Sequence, residues 1–274
     1  MAQSDRHLPI PNKTLTQRIK QVSKTTSLAN KTVNMEEPFF CIAYGRAGTG
    51  KTTFAGSFPK PMVIFNFDNK LKPLFRRDDK DQIDVLSYPV AEQNEASIAF
   101  NQFRRDFLGV IRNEIQFRGE TSYKTIVWDS LTSFDTLALQ HFVIQSGKNV
   151  EEEYATLPVY GDQSGYYQSF LYQLQGIHDK WIVITAHEYY KIDKDSGTHA
   201  VQPLLTGDKI QDKLPAAAEE LYHFIQENDE YVMYYKKKGK TDASSIILNG
   251  NGRMTNPTFE KIVKEVVNEI SYIR

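Results

Sequence analysis

Gly45-Arg46-Ala47-Gly48-Thr49-Gly50-Lys51-Thr52 directly follows the apolar run Pro38-Phe39-Phe40-Cys41-Ile42-Ala43-Tyr44. The octapeptide satisfies every fixed position of G-x-x-x-x-G-K-[ST]. Glycines at these places let the backbone turn tightly and aim successive N–H groups inward, which makes a cradle for anions. The apolar run reads as a buried strand, and the residues from Lys51 to about Ser57 as a helix whose start adds partial positive charge. Such a loop implies a nucleoside triphosphate. Gly45, Arg46, Ala47, Gly48, Thr49, Gly50, Lys51, Thr52 and Thr53 form the expected binding segment. Lys51 is expected at the β- and γ-phosphates, and the Thr52 hydroxyl on Mg2+, with ATP as the nucleotide.

Downstream, short apolar runs alternate with helical patterns. Met62–Phe67 and Ile83–Val90 read as strands, 92–118 as a long helix, and Thr125–Trp128 as a strand ending at Asp129. Helical patterns cover 131–145 and about 164–178, and Trp181–Ala186 reads as a strand ending at His187. Residues 188–207 read as a loop and 209–226 as a helix. Tyr231–Tyr235 and Ser244–Leu248 read as paired strands, and Pro257–Ile270 as a closing helix. This alternation predicts an α/β fold with a mainly parallel sheet flanked by helices, plus a C-terminal β-hairpin and helix. Ligands of such sheets sit at the carboxyl ends of the strands. Thr125-Ile126-Val127-Trp128-Asp129 has the form of a Walker-B strand, so Asp129 is expected to hold Mg2+, directly or through water.

Residues 1–35 carry six lysines and arginines against one acid, Asp5, and read as a basic, flexible arm; 36–274 read as one ATPase domain. Over 274 residues, 33 Lys and Arg balance 34 Asp and Glu, so no global charge marks a nucleic-acid partner. The single cysteine, Cys41, sits in an apolar run and reads as a core residue. No apolar run reaches the roughly 18 residues of a membrane span. The expectation is a soluble, cytoplasmic protein with no membrane partner. The six histidines are scattered, without ligand spacing.

In many AAA-type ATPases a catalytic glutamate directly follows the Walker-B acid; here that position is Ser130. The segment order instead resembles the RecA-like ATPases of bacteriophages that are linked to single-strand annealing and recombination. The matching residues are Gly45 to Thr53, Asp68, Asp129-Ser130-Leu131-Thr132, Thr185-Ala186-His187, Pro203-Leu204-Leu205-Thr206-Gly207-Asp208-Lys209 and Asn256-Pro257-Thr258-Phe259. The resemblance runs from about 36 to 270, and the P-loop is its most specific part. It implies a RecA-like P-loop core in which Lys51, Asp68, Asp129 and His187 are catalytic. Asp68 would activate water and His187 would sense the γ-phosphate. RecA itself has Glu and Gln at those two places.

The resemblance further implies a DNA-stimulated ATPase that acts in phage recombination, annealing or replication. It would lie in the host cytoplasm, self-associate into a ring or filament, and work beside a single-strand-binding protein. Tyr189, Tyr190, Lys191 and Lys194 combine aromatics with cations, which is how single-stranded DNA is held without sequence preference. Lys236, Lys237, Lys238 and Lys240 form a basic turn expected to reach a neighbouring subunit's γ-phosphate. Two other classes fit the same loop. One is a kinase of a small molecule or nucleotide, whose arginine-bearing lid the basic stretch Lys70 to Lys80 resembles only superficially. The other is a nucleotide-gated loader that hydrolyses little.

Overall fold

The computed structural model describes residues 37–90, 92, 95–147, 155–192, 199–206 and 208–272, which belong to one compact unit. The basic arm expected at 1–35, Glu151 to Glu153 and Lys194 lie outside the described residues.

The apolar runs form β1 (Phe40–Gly45), β2 (Met62–Asn66), β3 (Ile83–Ser87), β4 (Thr125–Asp129) and β5 (Trp181–Ala186). After them come β6 (Glu188–Ile192), β7 (His199–Pro203), β8 (Glu220–Glu227), β9 (Glu230–Tyr234) and β10 (Arg253–Thr255). The helices are α1 (Lys51–Ala55), α2 (Ala96–Ile111), α3 (Leu131–Gln145), α4 (Leu157–Gln175), α5 (Asp208–Ala217) and α6 (Phe259–Tyr272). Eight strands make one sheet in the order β10-β9-β8-β1-β5-β4-β2-β3. From β8 to β3 every pairing is parallel; β8–β9 and β9–β10 are antiparallel. This is the RecA-like core expected from the sequence, with β5 between the P-loop strand β1 and the acid-bearing strand β4.

The central strands β1, β2, β4 and β5 are mostly apolar because both faces are covered, with polar residues chiefly at their ends. Odd and even residues of β1 divide between two cores. Ile42 and Tyr44 pack with Trp128 against Phe100, Phe103, Phe134 and Phe170 of α2, α3 and α4. Cys41 and Ala43 pack with Phe54, Phe58, Tyr222 and Ile262 on the other face. Cys41 is fully buried, as its surroundings in the sequence predict. Among the described residues no helix is long and apolar enough to cross a membrane.

Three sequence expectations fail. The loop expected at 188–207 contains the β6–β7 hairpin, whose apolar and polar residues alternate too briefly to be conspicuous. The helix expected over 209–226 stops at Ala217, and the rest is β8, with its run Leu221-Tyr222-His223-Phe224-Ile225 rich in strand formers. Tyr231–Tyr235 does not pair with Ser244–Leu248. It returns along β8 through Asn228 and Asp229, both in the left-handed region at φ 49 and 62. Asparagine and aspartate tolerate that conformation, and their turn falls just beyond the end of the expected helix.

His141 of α3 is buried, stacked on Phe100 with ring centroids 4.1 Å apart, and bonded through Nδ1 to the Ser97 hydroxyl at 3.0 Å. Burial, and then the nearby Arg104, push its pKa down to about 4. The neutral form is therefore favoured by folding. The stabilisation is complete above the unfolded value of about 6.5 and drains away as pH falls toward 4, by at most ~1.4 kcal/mol per pH unit. Denaturant titrations between pH 4 and 7 should show this slope in the wild type and a shallower one in His141→Gln.

Candidate functional site

β1 delivers the chain to Gly45 at its carboxyl end, between β5 and β8. A Cβ on Gly45 would lie 2.1 Å from the Phe224 carbonyl oxygen of β8, so only glycine permits this approach. Gly50 has φ 90, and a Cβ there would fall 2.7 Å from the Tyr231 ring. Lys51 is nearly buried. Its ammonium donates to the carbonyls of Gly45 at 2.8 Å and Arg46 at 2.6 Å, so it spans the loop's own mouth. Burial lowers its pKa to about 8, against the attraction of Asp129, Glu188 and Asp68.

Parallel register brings the ends of β4 and β5 beside α1. Asp129 is buried and accepts from the Thr52 hydroxyl at 3.0 Å and the Thr185 hydroxyl at 2.5 Å. Burial raises its pKa despite both donors. No ion pair reaches Asp129 among the described residues. A buried carboxylate beside a threonine hydroxyl is a hard-oxygen donor pair of the kind Mg2+ takes.

Asp68 lies two residues beyond β2. The side chain of Asn66 fixes the turn, accepting from the Asn69 amide at 3.0 Å, and Asn69 takes φ 55. Ser130 donates to Asp68 Oδ1 at 3.0 Å, and the Ser133 hydroxyl donates to the same oxygen. Ser130, at the place of the AAA-type glutamate, therefore orients the acid that follows another strand. His187 Nε2 stands 3.8 Å from Asp68 Oδ2. Its amide donates to the Thr132 hydroxyl at 3.0 Å. Burial, then Lys51, lowers the pKa of His187, which keeps the ring neutral at pH 7. Lys51, Thr52, Asp68, Asp129 and His187 line one cleft of about 230 Å3, together with the P-loop backbone, Lys70, Pro73 and Tyr231.

The sequence did not expose a second cluster beside the loop. Glu188, the first residue of β6, receives Arg46 Nε at 2.9 Å, the Tyr190 hydroxyl at 3.0 Å and His223 Nε2 at 2.8 Å. Arg46 also donates to the Tyr190 hydroxyl at 3.1 Å. Glu188 is thereby held below the usual glutamate range, its donors outweighing burial. Residues of β6 alternate in direction, so Tyr190 sides with Glu188 while exposed Tyr189 sides with Lys191. At the hairpin's base, Leu204 N donates to the His187 carbonyl at 2.7 Å, and Thr206 N to buried Asp135 at 2.6 Å.

The lysine turn is engaged within its own chain. Lys236 donates to the carbonyls of Asn249 and Gly250, Lys237 pairs with Asp242 at 3.3 Å, and Lys238 donates to the Tyr234 hydroxyl. The Lys240 carbonyl accepts from Val201 N at 2.8 Å.

The sheet order, the glycine loop and the acid at the end of β4 define a P-loop ATPase domain. A family model described as an AAA domain matches residues 38–245, and the chain belongs to that family. Among solved structures, the flagellar accessory protein FlaH of Methanocaldococcus jannaschii is similar at 9% identity and a TM-score of 0.37. That match covers 80% of this chain and 85% of that one. No curated protein matches the sequence.

A bound triphosphate would favour the charged form of Lys51 and raise its pKa from about 8. Binding should therefore take up a fraction of a proton at pH 8.5 and almost none at pH 6.5. Affinity should fall as pH rises above 8. Calorimetry in buffers of different ionisation enthalpy reads this directly, and Lys51→Arg should flatten the dependence.

Proposed function

We propose that this chain is a Mg2+-dependent ATPase that works on single-stranded DNA in recombination or annealing. The observation that carries the hydrolytic reading is the Asp68 constellation. A carboxylate fixed by two serine hydroxyls faces a neutral histidine in the cleft that also holds Lys51, Thr52 and Asp129. The P-loop amides and Lys51 would bind the phosphates, and Thr52 with Asp129 would hold Mg2+, which neutralises charge on the transferring phosphoryl group. Asp68 would accept the proton of the attacking water. His187, neutral and anchored through its amide to Thr132, would hydrogen-bond the terminal phosphate or that water.

The DNA reading is supported by the hairpin that starts one residue after His187. Tyr189 is exposed beside Lys191 on one face of β6, a pairing suited to stacking and to phosphate neutralisation. Self-association would let the lysine turn reach a neighbour's nucleotide, with Lys240 the candidate because the other three side chains are held in place. One observation favours a second reading, phosphoryl transfer to a small acceptor. An uncharged cavity of about 290 Å3, lined by Phe67, Asn69, Tyr88, Ser133 and Gln140, shares Ser133 with the Asp68 site.

Phosphate release measured with and without single-stranded DNA, at two salt concentrations, separates these readings. Stimulation that weakens with salt is expected. Asp68→Asn should lower kcat by ~100-fold or more with triphosphate binding unchanged. Lys51→Ala should abolish binding. Transfer to an added acceptor would establish the kinase reading, and tight binding without turnover a loader.

A further inference from the structure

We propose that Lys70 is a cation for the terminal phosphate, supplied by the same subunit that binds the nucleotide. This rests on the triphosphate reading of the cleft. Asp68 and Lys70 bracket the turn that the Asn66 side chain fixes, with Asn69 in the left-handed region between them. Both line the cleft that contains Lys51, Asp129 and His187. The root of the Lys70 side chain is thus set by the same turn that aims Asp68.

Nearby cations are engaged or lie elsewhere: Lys60 and Arg77 pair with Asp79, Lys80 donates to the Phe75 carbonyl, and Lys72 and Arg76 do not line the cleft. Lys70 is exposed and makes no ion pair or hydrogen bond among the described residues. Its charge is nevertheless felt in the cleft, where it lowers the basicity of both Lys51 and His187.

The charges of the cleft explain what the ammonium is for. Its lining carries two acids, Asp68 and Asp129, and two cations, Lys51 and Lys70. A triphosphate with one divalent cation would add about two negative charges to that balanced set. Lys51 is fixed at the loop mouth by two carbonyls, and Asp129 is engaged by two hydroxyls. Lys70 is the cleft cation left with a mobile stem and open donors, a form suited to meeting a γ-phosphate as it becomes charged. Ground-state binding of a diphosphate needs none of this. Because Lys70 sits in the turn after β2 of the subunit that holds the nucleotide, its contribution does not depend on assembly, unlike that of the lysine turn.

The test compares full-length wild type, Lys70→Met and Lys70→Arg for binding of ADP and of a non-hydrolysable triphosphate, and for kcat. Lys70→Met should leave ADP affinity and thermal stability unchanged, weaken the triphosphate analogue by ~10-fold and lower kcat by ~10- to 100-fold. Lys70→Arg should recover part of both. Equal loss for ADP and the triphosphate, or no loss for either, would overturn the assignment. If wild type and Lys51→Ala bind neither nucleotide differently, the triphosphate reading itself is at fault rather than Lys70.

Discussion

The site is organised by a buried carboxylate that no ion pair reaches among the described residues. Asp129 ends β4 inside the sheet's carboxyl edge, and the hydroxyls of Thr52 and Thr185 reach it from α1 and β5. Those two bonds tie three pieces of the core, α1, β4 and β5, together around one charge. Burying a carboxylate is costly when only hydroxyls answer it, and its pKa rises accordingly. A divalent cation would relieve that cost.

The central part of this architecture was legible in the sequence for a simple physical reason. β1, β2, β4 and β5 are covered on both faces, so each reads as an uninterrupted apolar run with a polar residue at its end. Those terminal residues then fall at one edge because the pairing is parallel. Asp68, Asp129 and His187 meet in the structure, although nothing in their spacing along the chain requires it. What stayed hidden was of another kind. β8 is partly covered and carries Glu220, His223 and Gln226 among its apolar residues, which blurs strand and helix periods. Ser130 and Ser133 are unremarkable as residues and become informative only once both point at Asp68. Glu188 looked like part of a polar loop, yet its side chain is nearly enclosed by Arg46, Tyr190 and His223.

That enclosure gives the β6–β7 hairpin two attachments of different character. Its base is bonded to α3 through Thr132 and Asp135, by short bonds to backbone groups. Its first strand is bonded to the P-loop through Arg46, whose guanidinium is exposed while its partner Glu188 is enclosed. The hairpin is thus tied by backbone bonds at its root and by side chains at the nucleotide loop. Tyr189 and Tyr190, adjacent in sequence, face away from each other, so the strand presents one surface to the loop and another to solvent.

The close approach of β8 to Gly45 has a consequence for how the chain acquires its shape during synthesis. Phe224, whose carbonyl lies against Gly45, is 179 positions downstream of it, and Tyr231, whose ring lies against Gly50, is later still. The glycine loop leaves the ribosome long before these two walls do. Domains generally fold as units once their chain is available. A nascent chain that ends before residue 220 carries the full motif and lacks the enclosure that gives the motif its form. The nucleotide loop therefore takes its final form only after the chain has been made as far as Tyr231.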